Sequence, residues 1–255
     1  MELEINISLA CDIGCGRSNN EDMILVSGEY YRDMDDEFSL SVNDNGRFVA
    51  AIADGMGGHN AGEIASEMAL KSFDDFIKNL PEGLSDTDFR RMMDNEIIRI
   101  HKSLNQYGLT NAGCMGLGTT LVAWLTYDNK VYIINSGDSR LYRYRNGMLL
   151  QLTTDHSEQN RKGDSTIPSN QIYNCLGGGG SHVFADILDI TTKVFDDDVF
   201  LLCSDGFSDI LSDDEIEIAL HEKADAGSLV NKVKAYGAND NVSIVLIDIK
   251  NKVIW

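Results

Sequence analysis

Alternating apolar and polar positions open the chain: Leu3, Ile5, Ile7 and Leu9 share one parity, the pattern of a strand with one buried face. The polar stretch G-R-S-N-N-E-D then carries Arg17, Glu21 and Asp22 into a second strand that ends at Val26. Residues 30–37 read as polar loop and residues 38–42 as a short strand. Asn43-Asp-Asn-Gly46 has the Asn-Gly chemistry of a tight turn, so a hairpin is expected to lead into the apolar run Phe48–Ala53. That run delivers Asp54 into a turn containing Gly55, Gly57 and Gly58, whose backbone can bend sharply and expose its amides and carbonyls.

Beyond this turn the apolar period lengthens to that of a helix. Ile64, Ala65, Met68, Ala69, Phe73, Phe76, Ile77 and Leu80 fill one face of a first helix. Phe89, Met92, Met93, Ile97, Ile100 and Leu104 do the same for a second, over about residues 86–106, with Ser85 as its cap and Pro81 and Gly83 before it. Residues 108–118 read as loop. Four runs rich in β-branched and aromatic residues follow, at 119–126, 130–135, 140–145 and 148–152, with turns at Asp128-Asn129 and Asn146-Gly147. They predict an antiparallel meander. Residues 157–170 are polar without a period and read as a mobile surface loop, and Gly177 to Gly180 as a second flexible point. The buried strand Val199–Cys203 ends in S-D-G. Helices over about 213–222 and 228–236 precede a last strand, 242–249, opened by Asp240-Asn241.

At 255 residues and 43% apolar content, one domain with one sizeable core is expected. No run reaches the length of a membrane span, and the acidic N-terminus lacks the features of a signal peptide, so a cytoplasmic protein is expected. Five cysteines without paired C-x-x-C spacing argue against a disulfide framework or a zinc site. The net charge of −20, from 41 acids and 21 bases, repels nucleic acid and anionic membranes.

The positions of the aspartates say more than their number. Asp54, Asp138, Asp205 and Asp240 each stand at an end of an apolar strand or in its turn, and Asp22 stands at the start of another. Carboxylates gathered in this way repel and raise one another's pKa unless a cation joins them. Oxygen-only donors favour Mg²⁺ or Mn²⁺ over zinc or copper. Two such ions roughly 3.5–4 Å apart can share a water and lower its pKa, which makes a nucleophile for phosphoester hydrolysis.

Seven strings carry a resemblance that covers nearly the whole chain: R-S-N-N-E-D, A-D-G-M-G-G-H-x-x-G-E-x-A-S, G-T-T-L, N-S-G-D-S-R-L-Y, L-T-x-D-H-S, S-D-G-F-x-D and D-N-V-S-I-V. In content and order they resemble the metal-dependent protein phosphatases, the PPM family of 2C-type serine/threonine phosphatases, in its bacterial branch. The resemblance implies an α+β fold, a four-layer α-β-β-α sandwich of two antiparallel sheets flanked by helix pairs. It implies a single catalytic domain over residues 1–255, with a short flap-like loop at about 157–170.

By position, Asp54 resembles the bridging metal ligand, and Gly55 the residue that adds its backbone carbonyl. Asp205 and Asp240 are similar to ligands of one ion, and Asp22 and Glu21 to acids on its water shell. Asp138 and Asp209 resemble the ligands of a third, weaker metal site. Arg17 matches the arginine that clamps substrate phosphate, a role suited to a guanidinium fork. The implied cofactors are two inner Mn²⁺ or Mg²⁺ ions and a third outer one. The implied partners are phosphorylated proteins and a Ser/Thr kinase whose action the enzyme reverses, with no nucleic acid, no membrane and a monomeric state.

Met56 stands where the eukaryotic branch has a histidine proposed as general acid. His59 reads as a helix-start or surface residue rather than its replacement, and His156 as structural. The alternative is a non-catalytic relative that keeps the fold as a binding or sensing module. Such a relative would lack one of Asp54, Asp205 or Asp240, and all three are present.

Overall fold

The computed structural model describes residues 2–43, 46–57 and 61–253. One six-stranded sheet has the order β11 (Met148–Gln151), β10 (Arg140–Arg145), β14 (Val199–Cys203), β15 (Val242–Val253), β1 (Glu2–Asp12) and β4 (Met34–Val42). The other has the order β13 (Asp186–Asp189), β9 (Lys130–Ser136), β8 (Leu121–Tyr127), β5 (Phe48–Ala53), β2 (Met23–Val26) and β3 (Glu29–Tyr31). A small third sheet joins β12 (Leu176–Gly177), β7 (Gly118–Thr119) and β6 (Gly55–Met56). The helices are α1 (Ala61–Asn79), α2 (Asp86–Thr110), α3 (Glu158–Lys162), α4 (Asp205–Ser208), α5 (Asp213–His221) and α6 (Ala226–Ala235).

Three apolar layers hold these elements together. Ile5, Ile7, Phe48, Ile52, Trp124, Phe200 and Ile247 fill the space between the two large sheets. The opposite parity of the second sheet, including Val49, Ala51, Ala123 and Leu125, packs against Phe73, Ile77, Phe89 and Ile97 of α1 and α2. On the far side, Leu201, Ile244 and Leu246 meet Ile216, Leu229 and Val233 of α5 and α6. The four layers expected from the resemblance are therefore present. Strands β5, β8 and β14 are covered on both faces, which is why they read as continuous apolar runs rather than alternations.

Local chemistry fixes several boundaries. Ser85 caps α2 by accepting from the Asp88 amide, and Ser212 forms a capping box with Glu215 at the start of α5. Both helix starts agree with the sequence pattern. Helix α2 continues to Thr110, past the expected loop start, because Gly108 is buried beside Cys114 and ends nothing.

Three expectations are corrected. Most of residues 30–37 is strand: β3 ends at Tyr31 and β4 begins at Met34. As an edge strand, β4 is solvated along much of one face, so its sequence is as polar as a loop's. The hairpin into Phe48–Ala53 does not form, because β4 pairs with β1 in one sheet and β5 with β2 and β8 in the other. Asp44 and Asn45 of that turn lie outside the described residues. The meander breaks into two hairpins, β8–β9 and β10–β11, in different sheets, and Gly137-Asp138-Ser139 crosses between them. Within residues 157–170, Ser157 caps the five-residue helix α3, and Gly163 closes it in the left-handed conformation at φ 62°. Among the described residues, no helix is long and apolar enough to cross a membrane.

Candidate active site

Strand register brings the predicted acids to one end of the sandwich. Met23 pairs with Ala53, so Asp22 and Asp54 flank adjacent strand ends of one sheet. Cys203 pairs with both Ile244 and Arg140, which places Asp205, Asp240 and Asp138 around the matching end of the other. Asp54 is fixed through its backbone: its N–H donates to Thr120 Oγ1 at 3.0 Å, and its carbonyl accepts from the Thr120 amide at 2.9 Å and Thr119 Oγ1 at 2.8 Å.

The electrostatics carry the mark of crowded, buried carboxylates. Burial, and then Asp22, Asp205 and Asp138, drive Asp54 well above the usual carboxylate range, and Asp54 shares a hydrogen bond with Asp205. Burial pushes Asp22 up to about 7, aided by Asp205 and Asp240 and opposed by hydrogen bonds from Ser243 and Ser204. Burial, and then Asp205, lift Asp138 to about 7 as well. Asp205 is raised first by burial. Among the described residues, Asp22 Oδ2 is buried with no hydrogen-bond partner, a costly state for an acceptor. The carboxylates are gathered but not closed: among the described residues, no three His, Cys, Asp or Glu side chains surround one point as metal ligands do.

Around this centre, Glu21 belongs to the frame. Its carbonyl accepts from Ser66 Oγ at 2.6 Å and from the Gly55 amide at 3.2 Å, while its Oε1 accepts from the Gly62 amide at 3.3 Å. A side chain at position 55 would press within 2.1 Å of the Gly62 carbonyl, so the close approach at Gly55 requires glycine. Arg17 reaches the site but is engaged there, donating to Asp240 Oδ2 at 2.6 Å. Asp209 lies exposed one turn after Asp205, and its Oδ2 accepts from Ser169 Oγ of the flap-like segment at 3.0 Å. Met56 lies in β6, paired with Gly118. His59 lies outside the described residues.

His156 is built into the structure, as expected. Its Nδ1 accepts from the Gly137 amide at 3.1 Å and its Nε2 faces Asp186 Oδ2 at 3.2 Å, which fixes the crossing that carries Asp138. Several supporting residues were not singled out from sequence. Asn241 accepts from the Glu21 amide and donates to the carbonyls of Ile13 and Asn19. Asn20 Oδ1 accepts from the Asp22 amide, and Arg32 donates to the Asp22 carbonyl at 2.8 Å. Thr120, Asn20, Asn241 and Ser243 all stand inside the seven strings, and that position was their only signal. Arg32 had none.

Comparison with known proteins identifies the family of the fold. The family model described as protein phosphatase 2C matches residues 32–240. The serine/threonine phosphatase stp of Listeria welshimeri is 33% identical over 230 residues, covering 84% of this chain and 89% of that one. The solved serine/threonine phosphatase of S. agalactiae superposes with a TM-score of 0.78 at 28% identity, covering 95% of this chain and 98% of that chain. The catalytic domain of the serine/threonine protein phosphatase PstP in complex with 2 manganese ions superposes with a TM-score of 0.73 at 27% identity, covering 98% of this chain and 100% of that chain.

Proposed function

The chain belongs to the protein phosphatase 2C family and is a serine/threonine protein phosphatase, and from that premise we propose which of its residues do the work. All 255 residues form one catalytic domain, with 157–170 as a short flap beside the site. Asp54, the Gly55 carbonyl, Asp205 and Asp240 would hold two divalent ions, Mn²⁺ or Mg²⁺, while Asp22 and Glu21 would bind their waters and Asp138 and Asp209 would serve a third ion. The observation that carries this reading is the buried Asp22 Oδ2, without a partner among the described residues, amid carboxylates raised first by burial and then by one another. An all-oxygen donor set of this kind fits a hard cation. The manganese-bound relative supports the same choice.

When bound, the ions supply a water of lowered pKa as the nucleophile. The chain's own groups do the rest. Asp54, locked by Thr119 and Thr120, holds its carboxylate at the strand mouth without reorganising. Arg17 binds and orients the phosphoryl group through its guanidinium fork. The flap, tied to the mouth by Ser169 and Asp209, shapes the approach of the phosphorylated segment. The substrates are phosphoserine and phosphothreonine proteins, and the enzyme opposes a Ser/Thr kinase. Hydrolysis of p-nitrophenyl phosphate and of a phosphothreonine peptide, with Mn²⁺ and with EDTA, tests the reading. Equal rates under both conditions would overturn metal dependence.

A further inference from the structure

A buried histidine on α2, which nothing above uses, contacts the run Gly177–Gly180. His101 is 4% exposed and lies on the apolar helix face with Ile97, Ile100 and Leu104. Its Nδ1 accepts from the Gly177 amide at 3.0 Å. That leaves the ring proton on Nε2, which lies 3.0 Å from the Gly180 carbonyl. Asn105, one turn on, accepts from the Gly179 amide at 2.9 Å and donates to the same Gly180 carbonyl at 3.0 Å. Gly177, Gly178 and Gly179 are all left-handed, with φ of 74°, 68° and 73°. Such a run has many alternative conformations, and holding one of them requires an anchor.

The anchored backbone leads to the reacting centre without a gap. Gly177 pairs with Gly118, and Thr119 pairs with Leu176 on one side and Gly55 on the other. The Gly178 amide donates to the Leu117 carbonyl at 2.8 Å, and Thr119 Oγ1 donates to the Asp54 carbonyl at 2.8 Å. The strands pack too closely for side chains: a Cβ at Gly177 would lie 2.5 Å from the Leu117 carbonyl, and one at Gly118 would lie 2.7 Å from the Gly178 amide. A displacement of Gly177 is therefore passed to β7 and on to Gly55 rather than absorbed.

We propose that His101 is a positioning residue for the reaction, setting the Asp54–Gly55 backbone from the buried face of α2 through the three-stranded sheet. The proposal rests on the reading of Gly55 as backbone beside the reacting centre. It makes the Nδ1 bond to Gly177 the one that matters, while the contacts to Gly179 and Gly180 hold only the tip of the turn.

Two substitutions separate these bonds. His101→Asn retains an acceptor near the place of Nδ1, whereas His101→Gln retains only a donor near the place of Nε2. Both are compared with Asn105→Ala and the unaltered protein on a phosphothreonine peptide. Deuterium uptake at residues 52–57 and 117–120 is followed in the metal-free protein. His101→Gln is expected to lower kcat about tenfold, the loss of one hydrogen bond's worth of positioning, with KM little changed. It should also speed uptake in both segments. His101→Asn and Asn105→Ala should stay near the unaltered protein in both readouts. Equal losses in His101→Asn and His101→Gln, or unchanged kcat and uptake in His101→Gln, would overturn the proposal. An unaltered protein that hydrolyses nothing would overturn the phosphatase reading instead, and the uptake comparison would still decide the positioning claim.

Discussion

Arg17 and Asp240, 223 positions apart in the chain, meet at 2.6 Å at the mouth of the site. Both side chains are about half exposed, at 49% and 41%, so the pair is held in wet surroundings and is exchangeable. In the proposed assignment, the guanidinium that would grip substrate phosphate is thus parked on a carboxylate that would hold a cation. A cation at Asp240 would compete with that pairing and release the fork.

Arg17→Ala is therefore expected to raise KM for a phosphopeptide about tenfold or more, the value of a lost charge-assisted contact. Mn²⁺ affinity should change little. Steady-state kinetics with calorimetry of Mn²⁺ binding checks this. An unchanged KM with weakened metal binding would assign Arg17 to the metal centre instead.

Asp54→Asn and Asp205→Asn should each abolish nearly all turnover while the fold persists. Even groups that merely orient a metal ligand are worth 10–100-fold, so a loss beyond about a hundredfold is expected for the ligands themselves. Near-normal rates in either variant, with circular dichroism unchanged, would sink the dinuclear reading.

The raised acids make a signed prediction about pH. Asp22 and Asp138 go from an ordinary 3.8 to about 7 on folding, chiefly by burial. Between those values the folded, metal-free protein holds more protons than the unfolded chain, so stability falls as pH rises through the window. The melting temperature in EDTA should accordingly decline from pH 5.5 to 8 (roughly the upper part of that window). Asp22→Asn, which cannot ionise, should flatten the decline. A melting temperature that climbs over this range in EDTA would show that these carboxylates are not buried together.

Divalent ions should reverse that loss. Binding to the folded state alone adds about 2.7 kcal/mol at a hundredfold excess over Kd. For a chain of this size that is a rise of about 5–10 °C. Mn²⁺ or Mg²⁺ should produce it, and Na⁺ at matched ionic strength should not, which separates site binding from screening of the −20 charge. Asp240→Asn should gain less from Mn²⁺. Removing Asp240 also removes Arg17's partner, so the relief of repulsion in that variant without metal should be small.

Asp138 stands in the crossing between the sheets, and the proposed reading gives it to the outer ion. Asp138→Ala should leave two tight ions in place while slowing turnover. Calorimetric loss of a tight ion in this variant would move Asp138 into the inner shell.

Period and local chemistry were enough to place most elements in the sequence. Phe48–Ala53 and Val199–Cys203 have the bounds their apolar runs implied, and Ser85 caps the helix it was assigned to. The aspartates at strand ends, and the strings around them, also marked the candidate centre without any structure. Pairing partners were a different matter. A strand buried on both faces, such as β5 or β8, has no alternation to reveal which neighbour it takes, and an edge strand such as β4 is polar enough to pass for a loop. Hence the expected hairpin and meander failed, although nearly every strand in them exists. The Arg17–Asp240 pair and the anchoring of Gly177 by His101 likewise join residues far apart in sequence. Apolar period and turn chemistry report only how a residue relates to its near neighbours along the chain. Which distant residues come to face one another is settled by how the sheets and helices pack, and only the tertiary structure decided that.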